Sequence, residues 1–265
     1  MATDQEEGRW EELRAAMERG GAAEVIRYIE AIEDPETRRT VYAVAQKGFG
    51  NRKWDGRNFD ALVEVVTAGI GETLQQALQG GDGETAWKLT DFANRLSYNL
   101  SADLAECWPG DEAPRERHHI EAGLRAAEDC VRWRRELGKP PDRRAMAYWA
   151  VGMHQMSLGN LHEAVGAFET ASGLARLSVV GTGRDEVKVG SDFGVLLYAG
   201  YLGIVRWMLG DPEGRAQYEA ACAAFDESAA KFEGEEQEDA VFGVAQLRWV
   251  AGKFRPDAHA TVVEQ

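Results

Sequence analysis

Two adjacent histidines form the pattern in this sequence that best suits metal binding. His118 and His119 are followed by Glu121, and His118 and Glu121 are three positions apart, so they share one face of a helix. Imidazole and carboxylate groups at that spacing hold metal ions in some helical proteins. No further ligand lies nearby in sequence, and the pattern fits a solvated helix start equally well. We therefore expect no metal or other cofactor, and keep His118 and Glu121 as candidate metal ligands.

Two other patterns begin like catalytic motifs but are incomplete. His162-Glu163 starts like a zinc-protease helix, yet Gly166 stands where the second histidine is required. Gly181-Thr182-Gly183-Arg184 has two glycines but lacks the Gly-Lys-Ser/Thr and the preceding strand of a phosphate-binding loop. The surrounding stretch, 178–191, is a long irregular loop, and such loops are often lids or docking elements. Neither motif predicts a reaction.

A polar stretch offers one more candidate site. Asn94, Asn99, Ser101 and Asp103 lie close together, and a Cys-Trp-Pro-Gly sequence follows at 107–110. Asparagine and serine are poor residues for the interior of a helix because their side chains compete for backbone hydrogen bonds. The stretch is typical of a fraying helix end with a turn, or of a polar patch that binds a ligand or partner.

Composition predicts an all-α globular protein that avoids polyanions. Apolar residues make up 44% of the 265-residue chain and charged residues 28%, which excludes a disordered chain. Strong helix formers are common and β-branched residues are sparse. The formal net charge of −15 repels phosphate backbones and anionic lipids, so we expect neither nucleic acid nor a membrane as partner.

The cysteines and the hydropathy pattern predict a cytoplasmic protein. Cys107, Cys130 and Cys222 are odd in number and widely spaced, which indicates neither a disulfide framework nor a zinc site. The first residues are polar and acidic, unlike a signal peptide. No apolar run approaches the length that spans a bilayer.

Helical periodicity predicts about eleven helices. Gly20-Gly21 separates the first two helices, and Asp34-Pro35 marks the start of the third. A glycine-rich break at 48–58 then follows. The predicted organisation is an N-terminal helical segment, a helical array and a loose tail, at 1–50, 58–255 and 256–265 respectively. Most connections are short, so consecutive helices should pack antiparallel.

Residues 145–177 resemble one tetratricopeptide repeat. Gly152 stands at the small position of helix A and Gly159 at the turn, while Ala164, Phe168 and Ala171 follow on helix B at the family spacing. Small residues let the two helices approach closely, and the phenylalanine fills the space beside them. The segment departs from the family pattern where an aromatic residue is usual on helix A.

A second, weaker copy extends the resemblance. It uses Gly203 and Gly210, and its turn lies 51 residues after that of the first copy, so the period is not the strict one of the family. The resemblance implies antiparallel helix pairs stacked as a tetratricopeptide-like right-handed α-solenoid. A generic helical bundle without true repeats is the alternative.

The resemblance also implies a concave groove lined by helix A residues. Carried onto this sequence, the groove residues are Met146, Trp149, Met153, Met156, Leu197, Ile204 and Trp207. Such an apolar, methionine-rich wall suits a partner helix or peptide. A stripe of methionine and tryptophan at helical spacing is also typical of ordinary core, and the chain's own helices can fill such a groove.

Three functions follow as hypotheses. The first is a non-catalytic adaptor or scaffold that binds a protein or peptide in the groove. The second is an enzyme or a small-ligand or metal-binding protein on a helical scaffold, with a site near His118, His119 and Glu121 or in the polar stretch. The third is a structural subunit that forms a homodimer. The sequence does not identify the partner.

Overall fold

The structure is a computed structural model that describes residues 4–80 and 82–254. Within those residues it has ten helices and no strand, and its helix content is 78%. The helices are α1 (Asp4–Glu30), α2 (Pro35–Phe49), α3 (Phe59–Gln79), α4 (Gly83–Leu104), α5 (Arg117–Glu136), α6 (Pro141–Ser157), α7 (Leu161–Ser178), α8 (Phe193–Met208), α9 (Pro212–Lys231) and α10 (Glu235–Phe254). The prediction of an all-α protein is confirmed.

The described helices number ten rather than eleven because of the first element. The sequence predicts two helices separated at Gly20-Gly21, whereas the single element α1 includes both segments. The backbone leaves the helical range at this point, and Gly21 has φ +68° and ψ −159°. Only a residue without a Cβ adopts that conformation readily. The predicted break is therefore present as a kink inside α1.

Two helix starts have an aspartate cap, and the one at Asp34 follows the sequence prediction. The Asp34 carboxylate accepts a hydrogen bond from the Thr37 backbone N–H at 2.8 Å, and Pro35 occupies the first turn of α2. Asp82 likewise accepts from the Thr85 backbone N–H at 2.8 Å. Each carboxylate satisfies a backbone donor that has no partner within the first turn of its helix.

The chain forms two compact units. Unit 1 consists of residues 1–104 and 115–137, and unit 2 of residues 105–114 and 138–265. In their described parts, unit 1 holds α1–α5 and unit 2 holds α6–α10. This organisation differs from the predicted segment 1–50 and array 58–255, since the first two helices share a unit with α3–α5. The predicted tail, 256–265, lies outside the described residues.

The glycine-rich stretch at 48–58 lies inside unit 1 and is not a boundary; its first two residues end α2 and the rest form a loop. Trp54 of this loop packs against Trp10 and Phe49, with ring centroids 5.1 and 5.8 Å apart. A Cβ at Gly48 would stand 2.1 Å from the Trp10 ring, so only glycine allows this approach. The aromatic cluster joins α1 and α2 to the loop that precedes α3.

Helix directions in unit 1 place the starts of α3 and α5 at the same end. The Cys130 Sγ contacts the Asn94 carbonyl oxygen at 3.4 Å, and the Ser97 hydroxyl donates to the Ala126 carbonyl at 2.9 Å. Residue numbers rise on α4 as they fall on α5, so these helices are antiparallel. Because α3 and α4 are joined at 80–82 and pack together, they are antiparallel too. It follows that α3 and α5 are parallel.

In unit 2, α6 and α7 pack as the predicted pair. A Cβ at Gly152 would lie 2.7 Å from the Phe168 ring, and both Phe168 and Ala164 are fully buried. This is the close approach on which the tetratricopeptide resemblance depends. The helices α8 and α9 form a second pair, and α10 packs against both. The stacking of such pairs into a right-handed solenoid stays a prediction.

Helix length and hydropathy decide whether a helix can cross a membrane. In the described residues, 4–80 and 82–254, no helix is both long enough and apolar enough to do so.

Candidate functional site

The predicted groove residues of unit 2 are mostly core. Five of the seven are less than 5% exposed: Trp149, Met153, Met156, Leu197 and Ile204. The other two, Met146 and Trp207, are partly exposed. Of the two interpretations of this stripe, the burial favours ordinary core over an open groove wall at these five positions. A partner reaches the five buried side chains only if packing in unit 2 is disrupted.

The physical reason lies in α8. Its sequence is apolar on every side, and a helix of that kind is buried all round rather than along one stripe. Tyr201 of α8 stacks on Phe168 with centroids 5.3 Å apart and lies 6.2 Å from the Trp149 ring. Burial raises the pKa of Tyr201 well above its ordinary value of 10.0, and the neighbouring Cys107 adds to the rise. The chain's own segment 105–114 thus reaches this wall.

The two candidate histidines meet a residue that the sequence did not single out. Asp60, in the first turn of α3, has its Oδ1 atom 2.6 Å from His118 Nε2 and 2.8 Å from His119 Nε2. The parallel course of α3 and α5 brings these positions together across 58 residues of sequence. Glu121 does not join this group and instead forms an ion pair with Arg117, whose Nε atom lies 2.8 Å from Glu121 Oε1. The predicted combination of His118 with Glu121 is therefore replaced by one with Asp60.

Asp60, His118 and His119 form the group in the described chain with ligand atoms close enough for one metal ion, all within 4.8 Å of one another. The hydrogen bonds argue against that use. The Glu116 backbone N–H donates to His119 Nδ1 at 3.0 Å. Since a backbone N–H only donates, Nδ1 carries the lone pair, and in the neutral ring the proton sits on Nε2. A metal at Nε2 requires the opposite tautomer.

His119 has a structural role that accounts for its position. Its side chain accepts from the Glu116 backbone while the Glu116 side chain accepts from the third residue of the helix, which is a capping box at the start of α5. Two helix N-termini also meet here, and their positive dipole ends repel a cation. The cluster therefore suits a hydrogen-bonded junction between α3 and α5 better than a metal centre.

The junction makes a testable contribution to acid stability. Hydrogen bonds from His118, and next from His119, lower the pKa of the Asp60 carboxyl below its ordinary value of 3.8. A lowered pKa stabilises the folded state above pH 3.8, and this contribution disappears as the pH falls through the folded pKa. We expect urea denaturation to show Asp60→Asn less stable than wild type at pH 6, with the two curves converging in strong acid. A constant difference down to pH 2 would contradict this role.

The polar stretch of α4 is mostly part of the packing. Asn94 is 3% exposed and accepts a hydrogen bond from Arg134 Nε at 3.2 Å. Ser101 is fully buried, and Asp103 forms an ion pair with Arg52 at 3.5 Å. These partners lie within unit 1, so the stretch joins helices and is not an open ligand site. It is a continuous part of α4 rather than a fraying end.

A groove on unit 1 is the better candidate for a functional site. It has a volume of about 590 Å³ and lies between α3 and α5 with α4 as its floor. Its lining residues are Asp60, Val63, Glu64, Thr67, Ile70, Ser97, Leu100, His118, Ala122, Arg125, Ala126 and Asp129. The floor is apolar or small, and the charged side chains stand on the rim.

Small side chains explain why the groove exists. Ala122 and Ala126 are one turn apart on the face of α5 that borders it, and Ser97 faces them from α4. The Ser97 hydroxyl is satisfied by the Ala126 carbonyl, so the floor presents no unmet polar group there. Larger residues at these positions would fill the space between α3 and α5. The sequence signal was present as a small-residue face on α5, but its partner helix was not evident.

Comparisons with known proteins do not assign this site. No protein-family model matches the chain, and no curated protein is significantly similar to it. The resemblance to tetratricopeptide repeats therefore stays a prediction made from the residues themselves.

Proposed function

We propose that this chain is a non-catalytic protein-interaction module, an adaptor or scaffold of tetratricopeptide-like helix pairs. The observation that supports it is the open groove of about 590 Å³ on unit 1, with its apolar floor and charged rim. Protein interfaces share this anatomy, an apolar centre surrounded by polar residues. The proposal moves the binding surface from the buried stripe of α6 and α8 to α3, α4 and α5.

The occupant that fits best is an amphipathic helix of a partner protein. The groove lining runs from Asp60 to Ile70 along α3, which corresponds to about 15 Å, or roughly three helical turns. The α3 edge carries Asp60 and Glu64, while the α5 edge carries both Arg125 and Asp129. A partner helix with apolar residues on one face and a lysine or arginine toward Glu64 complements this pattern.

Selection from a displayed library of 16-residue segments tests the proposal. Wild-type protein should enrich helix-forming segments with apolar residues at three- and four-residue spacing. Thr67→Trp places a large side chain on the groove wall from an exposed position, so affinity for the selected segments should fall at least tenfold. Gln75→Trp is the matched control, an exposed position of α3 outside the lining, and should bind like wild type.

The charge on the rim gives the selection a second readout. Glu64→Lys should weaken basic segments about fivefold, because an exposed ion pair contributes roughly 0.2–1 kcal/mol and reversal turns attraction into repulsion. Glu128→Lys carries the same charge change on α5 outside the groove. Equal losses of affinity in Glu64→Lys and Glu128→Lys would count against the groove as the binding site. So would segments that bind Thr67→Trp as tightly as wild type.

A small-ligand protein is the second candidate function. The groove volume falls in the range of sites that hold small molecules, and the Asp60–His118 pair stands at one end. Its polar groups, however, are exposed on the rim instead of converging from a buried wall. Thermal-shift screening with metabolites and divalent metals separates the two functions, since stabilisation by a metabolite favours the second.

Self-association, nucleic-acid binding and location stay predictions. A net charge of −15 makes two copies repel each other, so we propose no homodimer through the groove. Light scattering at several concentrations measures this directly. The same charge underlies the proposal that neither nucleic acid nor a membrane is a partner, and a cytoplasmic location remains an expectation from the sequence.

A further inference from the structure

The segment between α7 and α8, residues 179–192, is held in place on unit 2; we call it the strap. The Gly190 backbone N–H donates to the Ser228 hydroxyl at 3.0 Å, which ties the strap to α9. Arg184 Nε donates to the Gly190 carbonyl at 3.1 Å, and the Arg184 carbonyl accepts from the Asp192 backbone N–H at 3.1 Å. The loop that the sequence marks as a possible lid is therefore an ordered cover.

A small cavity of about 50 Å³ lies under the strap. Its apolar lining comes from α8, α9 and the α9–α10 connection: Phe193, Leu196, Phe225 and Phe232. Its polar lining consists of Ser191 and Arg184 from the strap, Ser228 from α9, and Glu236 and Asp239 from α10. Two carboxylates and one guanidinium thus meet aromatic rings at this point.

One polar atom of the cavity lacks a protein partner. Ser191 is 7% exposed, and within the described residues its hydroxyl makes no hydrogen bond to protein. A buried hydroxyl without a partner destabilises the fold, so its presence needs an explanation. Ser228, by contrast, donates to the Ala224 carbonyl at 2.8 Å and accepts from Gly190. The free capacity of the cavity is therefore at Ser191.

The electrostatics of the cavity favour a cation. Glu236 and Asp239 belong to the acidic start of α10, where their two negative charges exceed the partial positive charge of the helix N-terminus. The positively charged side chain that lines the cavity is Arg184, with its Nη2 atom 3.7 Å from Glu236 Oε1. Aromatic faces stabilise cations through their quadrupoles as well. Arg184 is about half exposed and so occupies the mouth rather than the interior.

We propose that this cavity binds an alkylammonium group, which enters head-first between the strap and α10. Once the Ser191 side chain turns toward the cavity, its hydroxyl accepts a hydrogen bond from the ammonium. The ammonium also donates to the carboxylates of Glu236 and Asp239, while its methylenes pack on Phe193 and Phe232. A cavity of about 50 Å³ has room for an ammonium head but not for a whole metabolite. The rest of the ligand lies outside. This site is separate from the groove proposed on unit 1.

Titration of the full chain with n-butylammonium chloride tests the proposal, with NMR detection of strap and α10 amides and 1-butanol as the neutral control. We expect saturable binding of butylammonium and none of butanol. Asp239→Asn should weaken binding about fivefold or more, and Ser191→Ala about threefold. Glu238→Gln removes a carboxylate of the same acidic run outside the cavity and should leave affinity unchanged.

Two further arms complete the experiment. Ser191→Ala should raise the unfolding midpoint of the free protein, because the hydroxyl without a partner is removed. N-acetyl-lysine N-methylamide distinguishes the source of the ammonium: binding as tight as that of butylammonium identifies a lysine side chain of a protein, and weaker binding identifies a free amine. Butanol binding equal to butylammonium, or full affinity in both Ser191→Ala and Asp239→Asn, would overturn the proposal.

Discussion

Replacing Phe168 by alanine should destabilise unit 2 by about 3–5 kcal/mol, the cost of emptying a fully buried aromatic site. Phe168 lies against the Gly152 backbone and stacks on Tyr201 with centroids 5.3 Å apart, so its removal leaves a cavity between α6, α7 and α8. Urea denaturation followed by amide exchange of α6–α8 measures the change in unfolding free energy. Exchange data also separate unit 2 from unit 1.

The control for this substitution is Phe242→Ala, on α10 of the same unit. Phe242 is 39% exposed, so the same chemical change removes far less buried surface and should cost much less. Similar costs at Phe168 and Phe242 would mean that α6 and α7 do not pack as described. The resemblance to a tetratricopeptide pair would then lose its physical basis.

Gly203→Ala should destabilise unit 2 by about 2 kcal/mol, although alanine is the better helix former. A Cβ at this position would stand 2.5 Å from the Tyr218 backbone nitrogen and 2.8 Å from the Gly214 carbonyl oxygen. Backbone atoms of α9 cannot move aside as a flexible side chain does, so α8 and α9 must separate. Overpacking of about 3 kcal/mol outweighs the gain in helix propensity of about 1 kcal/mol.

Gly166→Ala is the matched control on α7. Gly166 is exposed in mid-helix and has no atom within 4 Å of an added Cβ, so alanine should stabilise by about 0.5–1 kcal/mol. Chemical denaturation of both variants gives the comparison. Opposite signs at Gly203 and Gly166 are the expected result, and stabilisation at both positions would show that α8 and α9 are not in close contact.

Local chemistry explains which parts of the fold are predictable from sequence. Asp34 with Pro35 marks the start of α2 because capping depends on residues within one turn. The pairing of Gly152 with Phe168 follows from a spacing of 16 residues across one short turn. The kink at Gly20-Gly21 was evident too, since only glycine adopts its conformation easily. Each of these features involves neighbours in sequence.

The candidate sites were not predictable because they depend on distant contacts. Asp60 meets His118 only because α3 and α5 are parallel, and nothing in either segment specifies that arrangement. The repeat pattern also did not single out Gly214, whose backbone lies against Gly203. In unit 2, the stripe from Met146 to Trp207 fits both a groove wall and a core, and burial distinguishes them only once α8 is seen to be enclosed.

Amide chemical-shift mapping with a library-selected segment locates the bound partner on the chain. We expect shifts confined to the groove lining of α3, α4 and α5, centred on Glu64, Thr67 and Ala126, and their loss in Thr67→Trp. Shifts centred instead on Met153 and Ile204 would place the partner in the buried stripe of unit 2. That result, or the absence of any specific binder, would rule out the groove on unit 1 as the binding site.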